Sequence, residues 1–202
     1  MTTRMTLRER RASETRCLIL DAAYHLFASH GYGQTSVDAI LLEAGLSKGA
    51  FYHHFVSKEE LFKVLLRDRQ RRCVEQMASA VSPASSRRDA IERLVTVALE
   101  FNEADPDWVR MYFEFCIQAM REGFARDIVA RSLSECRAIV AEMLKGGQER
   151  RVVRADVATA AAAFLLIGIF DGIALQRAID PDAASPSELA DTTADLIDKF
   201  IQ

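Results

Sequence analysis

The stretch from Thr35 to Leu61, TSVDAILLEAGLSKGAFYHHFVSKEEL, constrains this chain more than any other. Thr35 is a candidate N-cap, and Asp38 three residues later completes a capping-box pattern. Val37, Ile40 and Leu41 then supply one apolar face at helical spacing. Gly45, inside Ala44-Gly45-Leu46, can close that helix in a left-handed conformation without a Cβ clash. Ser47 can cap a second helix, Lys48 to Phe55, which buries Phe51 and Phe55 one turn apart. Ser57, with Glu60 at the third position, starts another helix whose apolar stripe begins at Leu61.

Two short helices about a tight glycine turn form a helix-turn-helix. The second is about eight residues long, hence ~12 Å at 1.5 Å per residue. That matches a major groove ~12 Å wide. Its outward side carries Lys48, Gly49, Ala50, Tyr52, His53 and His54. These are basic and aromatic groups beside two small residues that permit close approach to a duplex. The same spacing also suits a plain surface helix pair in any α-protein. The adjacent histidines point to different sides of a helix and have no third ligand at useful spacing, so no metal site is expected.

Taken in order, Gly31-Tyr32, Thr35-Ser36, Ile40, Ala44-Gly45-Leu46-Ser47, Gly49, Tyr52, Phe55, Lys58 and Leu61 resemble the DNA-binding signature of the TetR (tetracycline-repressor) family of bacterial regulators. The resemblance covers roughly a quarter of the chain. It implies that Ser36 and Lys58 contact phosphate, and that Ser47, Lys48, Gly49, Ala50, Tyr52, His53 and His54 lie at the DNA. Leu41 departs from the small residue usual there. Asp38 lies where the family can place a base-reading side chain. An acid there repels phosphate, accepts from a cytosine amino group, or simply caps the helix.

Charge points the same way. Through Arg72 the chain has twelve basic and eight acidic residues, a net +4, which leaves −7 of the total −3 on the remainder. A basic head on an acidic body suits a protein that docks one end on a polyanion. Cys17, Cys73, Cys116 and Cys136 form no zinc or CxxC pattern. The basic N-terminus is followed by no apolar core of a secretory signal, so a reduced cytoplasmic setting is expected. The longest near-apolar run, Val157 to Phe170, is shorter than the ~20 residues of a membrane span, so no membrane is expected.

The expected fold is all-α. Residues 1–12 read as a mobile basic arm, with Arg4, Arg8, Arg10 and Arg11, and Ser13 as the first cap. Residues 13–57 form the helix-turn-helix domain; residues 58–202 form a helical effector-binding and dimerisation domain, of which 58–80 is a connecting helix. Val81 to Ser86 is the clearest break in the chain. Asp105-Pro106 caps and starts a helix, and Gly146-Gly147 weakens or ends another. Ala155 to Ile179 is apolar on nearly every side, so a second copy is its expected cover. The family resemblance also implies pairing of the last two helices of two chains as a four-helix bundle.

Phe101, Met111, Phe115, Cys116, Met120, Phe164 and Phe170 are either ordinary core or the lining of a cavity for a largely apolar small molecule. Cys116 could instead sense oxidants. There is no nucleophile elbow, phosphate loop, HExxH or inward carboxylate pair, so no catalytic residues and no cofactor are expected. The function expected is a sequence-specific regulator, a repressor released from a near-palindromic double-stranded operator by a small ligand. The alternative is an activator or architectural DNA-binding protein without one.

Overall fold

The computed structural model describes residues 6–121 and 123–202, and among these the regular structure is entirely helical. In chain order the helices are α1 (Leu7–His30), α2 (Val37–Ala44), α3 (Lys48–His54), α4 (Lys58–Val81) and α5 (Arg87–Glu103). They continue as α6 (Pro106–Arg121), α7 (Gly123–Glu149), α8 (Thr159–Ile179) and α9 (Pro186–Ile201). Two compact units divide after Asp68, inside α4. We call them head and body.

The head begins earlier than the sequence suggested. Thr6, not Ser13, caps α1: its hydroxyl accepts from the Glu9 N–H at 3.3 Å, and the Glu9 carboxylate accepts from the Thr6 N–H at 2.8 Å. This reciprocal box outweighs the low apolar content of the first turns. Arg8, Arg10 and Arg11 are therefore helical surface residues, and only Met1–Met5 of the expected arm lie outside the described residues. The head's core gathers Ile19, Ala23, Phe27, Tyr32, Ile40, Phe51, Leu61 and Phe62. Phe27, Tyr32 and Phe62 form a ring triangle with centroids 5.2, 5.3 and 5.8 Å apart. Phe62 thus ties the start of α4 to the head. That is why the head ends inside α4 and not before Lys58, where the sequence put the boundary.

In the body, Ile91, Val95 and Leu99 of α5 pack with Leu144, Val153, Val157, Ala162, Ala194, Ile197 and Ile201. The ion pair Arg87–Asp198 at 2.8 Å, and a second between Arg88 and Asp195, join α5 to α9. Arg69 is buried at the α5–α6 corner. Its guanidinium donates to Asp105 Oδ2 and to the Phe101 carbonyl, both at 2.7 Å, and lies 3.9 Å from the Phe101 ring centroid. Asp105 also caps α6, accepting from the Trp108 N–H at 3.1 Å. The α7 helix runs through Gly146-Gly147 to Glu149. Gly147 serves packing, since a Cβ there would meet Val153 Cγ2 at 2.5 Å. The left-handed position beyond the helix falls instead to Arg151, φ 59°.

The α8 helix is the body's exception. It is fully buried only at Ala162 and Ala163, while Phe164 is 63% and Ile179 76% exposed. By length and composition alone its 21 residues would suffice to cross a membrane, as those of a soluble protein's core helix can, so the expectation of no membrane span is not overturned.

Candidate nucleic-acid interface

Short local bonds build the helix-turn-helix. Ser36 caps α2, its hydroxyl accepting from the Ala39 N–H at 3.1 Å. Thr35, the expected cap, is only 4% exposed. Its hydroxyl donates to the Leu26 carbonyl at 3.2 Å and the Gly31 carbonyl at 2.9 Å, which fixes the entry of α2 against the end of α1. A buried hydroxyl needs such partners, and the capping task passes to its exposed neighbour. Gly45 is left-handed, φ 66° and ψ 33°, and the Leu46 N–H returns to the Leu41 carbonyl at 2.9 Å. That six-to-one bond is the glycine stop expected from the sequence. Ser47 then caps α3 through the Ala50 N–H at 3.4 Å.

Phe51 and Phe55, both buried with ring centroids 5.8 Å apart, anchor α3 to the head. The opposite face is open. Lys48, Gly49, Tyr52 and His53 are exposed, Tyr52 by 60%, while Ala50 and His54 are half-buried. Tyr52 stands edge-on to Phe51 at 5.3 Å, so the buried ring orients the exposed one. Only Ser47 Oγ, at 3.9 Å, would meet a Cβ on Gly49, so that surface is flat. The His54 imidazole titrates below its ordinary range because of burial, then the neighbouring His53, then Arg16 of α1.

Two contacts of this surface escaped the sequence reading, because each joins residues far apart in the chain. Lys48 Nζ pairs with Asp38 at 2.9 Å, which holds the lysine protonated and bridges the first turns of α2 and α3. Asp38 is thus a partner for a basic residue as well as a first-turn acid. Arg16 lies 5.4 Å from the Phe55 ring centroid, adding α1 to the basic side of α3. Lys58 is placed otherwise than a phosphate contact suggests. Its ammonium donates to the Tyr32 and Thr35 carbonyls, both at 2.8 Å, and lies 4.2 Å from the Tyr32 ring centroid. Half-buried there, it clamps the α1–α2 loop to the start of α4.

A family profile described as bacterial regulatory proteins, tetR family, matches residues 19–65. A second, described as the C-terminal part of BetI-type transcriptional repressors, matches residues 87–202. The chain belongs to the TetR family of transcriptional regulators. Among curated members, the HTH-type transcriptional regulator UidR of Escherichia coli is 26% identical over 80% of this chain and 81% of its own. The HTH-type transcriptional repressor Rv1474c of Mycobacterium tuberculosis is 28% identical over 91% of both. The solved structure of the regulator FadR from Bacillus subtilis, in complex with stearoyl-CoA, superposes with a TM-score of 0.76 at 18% identity, covering 92% of this chain and 99% of that one. TetR-family regulators bind DNA and are not enzymes.

This TetR-family body does not gather the expected ligand residues. Met111 and Phe115 are buried on the inner face of α6, whereas Met120 is 74% exposed and Phe164 lies on the open face of α8. Phe170 packs against the α5–α9 core, and Phe101 lies under the Arg69 guanidinium. A cleft of about 220 Å³, lined among others by Leu99, Val109, Ile173 and Arg177, holds none of the seven. A second, of about 420 Å³ beside Arg69 and Glu100, holds only Phe101. Apolar type and helical spacing do not separate an inward from an outward face on helices as apolar as these. Cys116 is unsuited to sensing oxidants, because burial pushes its thiol up to about 11. Burial likewise raises Cys73 and Cys136.

Proposed function

We propose that this TetR-family chain is a cytoplasmic homodimeric repressor that reads a near-palindromic operator with α3 and leaves it when the body binds a small molecule. The observation that carries the reading is the two-faced α3 helix. It is held from behind by Phe51 and Phe55, and it offers Lys48, Gly49, Ala50, Tyr52, His53 and His54 outward. Lys48, Ala50, Tyr52 and His53 discriminate bases, while Ser36, Ser47 and helix N-termini set the register on phosphates. Lys58 contributes by holding the loop that aims α2.

Support for dimerisation comes from α8. Its open Phe164, Leu165, Leu175 and Ile179, with Leu196 and Phe200 of α9, need a cover. A second copy supplies it for both helices at once. Support for a ligand comes from the fold, which in FadR holds stearoyl-CoA. Release is a population shift: the ligand binds better to dimers whose reading helices are mis-spaced for the operator.

Selection of genomic fragments by the purified chain, followed by footprinting, tests this. The expected result is one motif with half-sites ~34–36 Å apart or a multiple of it. Protection of many unrelated sequences would mark an architectural protein. Stimulation of the bound promoter in a transcription assay would make it an activator.

A further inference from the structure

We propose that Asp38 and Lys48 act as one paired reader that recognises a G·C base pair, the ammonium donating to guanine and the carboxylate accepting from the cytosine amino group. The inference rests on the reading that α3 enters the major groove, and it names the base pair met there.

The pair joins two helices across the Gly45 turn. Lys48 Nζ lies 2.9 Å from Asp38 Oδ1 and 3.1 Å from Oδ2. Asp38 stands in the first turn of α2 and Lys48 in the first turn of α3. Both side chains are open to solvent, at 67% and 69% exposure. Neither has a second hydrogen-bond partner among the described residues. An ammonium has three N–H donors and a carboxylate about four acceptor sites, so each group keeps capacity for an outside partner. A pair this exposed adds little to stability. Its effect is to hold the end of a flexible lysine beside a carboxylate before any duplex arrives, so less side-chain freedom is lost on binding. Next to it, a Cβ on Gly49 would meet only Ser47 Oγ, at 3.9 Å, so nothing on that side holds a base edge away.

Charge decides what such a pair can bind. A free ammonium attaches to any phosphate, whatever the sequence. A free carboxylate is repelled by every phosphate. Joined, the two carry no net charge, and what remains is a donor next to an acceptor. The major-groove edge of G·C presents two acceptors, guanine N7 and O6, followed by the cytosine N4 donor. The ammonium bridges the first two and the carboxylate takes the third. Across A·T the order is acceptor, donor, acceptor and then the thymine methyl. There an ammonium on adenine N7 faces the N6 donor, and one on thymine O4 has a single acceptor crowded by the methyl. The pair therefore favours G·C over A·T.

The test uses the full-length chain and a random-sequence duplex library. Enrichment is run with wild type, Asp38→Ala, Lys48→Met and the double variant, and melting curves confirm that each folds. Affinities for the selected duplex and for its single-pair changes are then titrated at several salt concentrations. The expected wild-type motif fixes G·C at one position in each half-site. Changing that pair to A·T should weaken wild type on the order of tenfold or more, as loss of a good base contact implies. The same change should weaken each variant far less, with the rest of the motif unaltered. The losses in the two single variants should not add in the double variant, because they remove one shared contact. A simple tether gives the opposite result. Asp38→Ala then leaves the motif intact, frees Lys48 for phosphate, tightens binding to every duplex and steepens the salt slope by about one unit. That outcome overturns the inference, as does a wild-type A·T at the position the variants relax. So does a shared motif that none of the substitutions changes. Failure to enrich any duplex removes the function proposed above, and the inference with it.

Discussion

The α3 and α8 helices both expose aromatic or aliphatic side chains, but for different reasons. In α3 the exposed ring, Tyr52, leans on a buried one, Phe51, and its neighbours are polar or small. The exposure is local and oriented, as suits a surface that meets a polyanion. In α8 the exposed side chains are continuous and carry almost no charge. That face is finished only by something that covers it. An exposed apolar residue therefore means little until the side chains behind and beside it are known.

The comparison breaks first where one residue type stands on both helices. Phe51→Ala should destabilise the head by about 3–5 kcal/mol and abolish operator binding, because the ring is fully buried. Phe164→Ser should leave the melting temperature of the isolated chain nearly unchanged and shift the dimer toward monomer in sedimentation. Monomer–dimer behaviour identical to wild type would remove Phe164 from the interface.

Asp171→Asn probes the polar exception within α8. Burial raises the folded carboxylate from its ordinary 3.8 to about 6, so the folded chain favours the protonated form. The stability this contributes is present below the unfolded pKa and lost as pH rises through about 6. The variant should thus be more stable than wild type near neutral pH, by on the order of 2–3 kcal/mol, and the gain should vanish toward pH 4. Denaturant melts across that range measure it.

Tyr52→Ala probes the exposed ring of α3. It should weaken operator binding by ~1–3 kcal/mol while leaving binding to random duplex unchanged. Lys58→Met sharpens the distinction between contact and clamp within the head. Loss of two charged hydrogen bonds should cost about 1.5–3 kcal/mol of head stability with the salt slope of operator binding intact. A slope flatter by about one unit would instead assign Lys58 a phosphate. The smallest effect is expected at Arg151, whose positive φ a glycine adopts without strain. Arg151→Gly should stabilise the body by about 0.5–1 kcal/mol.

How much could be read in advance also differs between the two units. The cap at Ser47, the Gly45 stop and the buried pair Phe51 and Phe55 are all encoded within four residues, so the sequence alone located them. The same locality made the outward face of α3 legible. The body was legible only as helices. Which side of α6 or α8 turns inward depends on partners tens of residues away, so Met120 and Phe164 could not be told from Met111 and Phe115.

By itself, then, the chain's sequence determined its all-α class, the Gly45 stop, the Ser47 cap and the outward face of α3, because capping, glycine conformation and helical periodicity act over one or two turns. Tertiary structure alone decided that Thr35 and Lys58 bind carbonyls and that Lys48 meets Asp38. Hydrogen bonding and burial at those sites are set by chain segments that meet only when the helices pack.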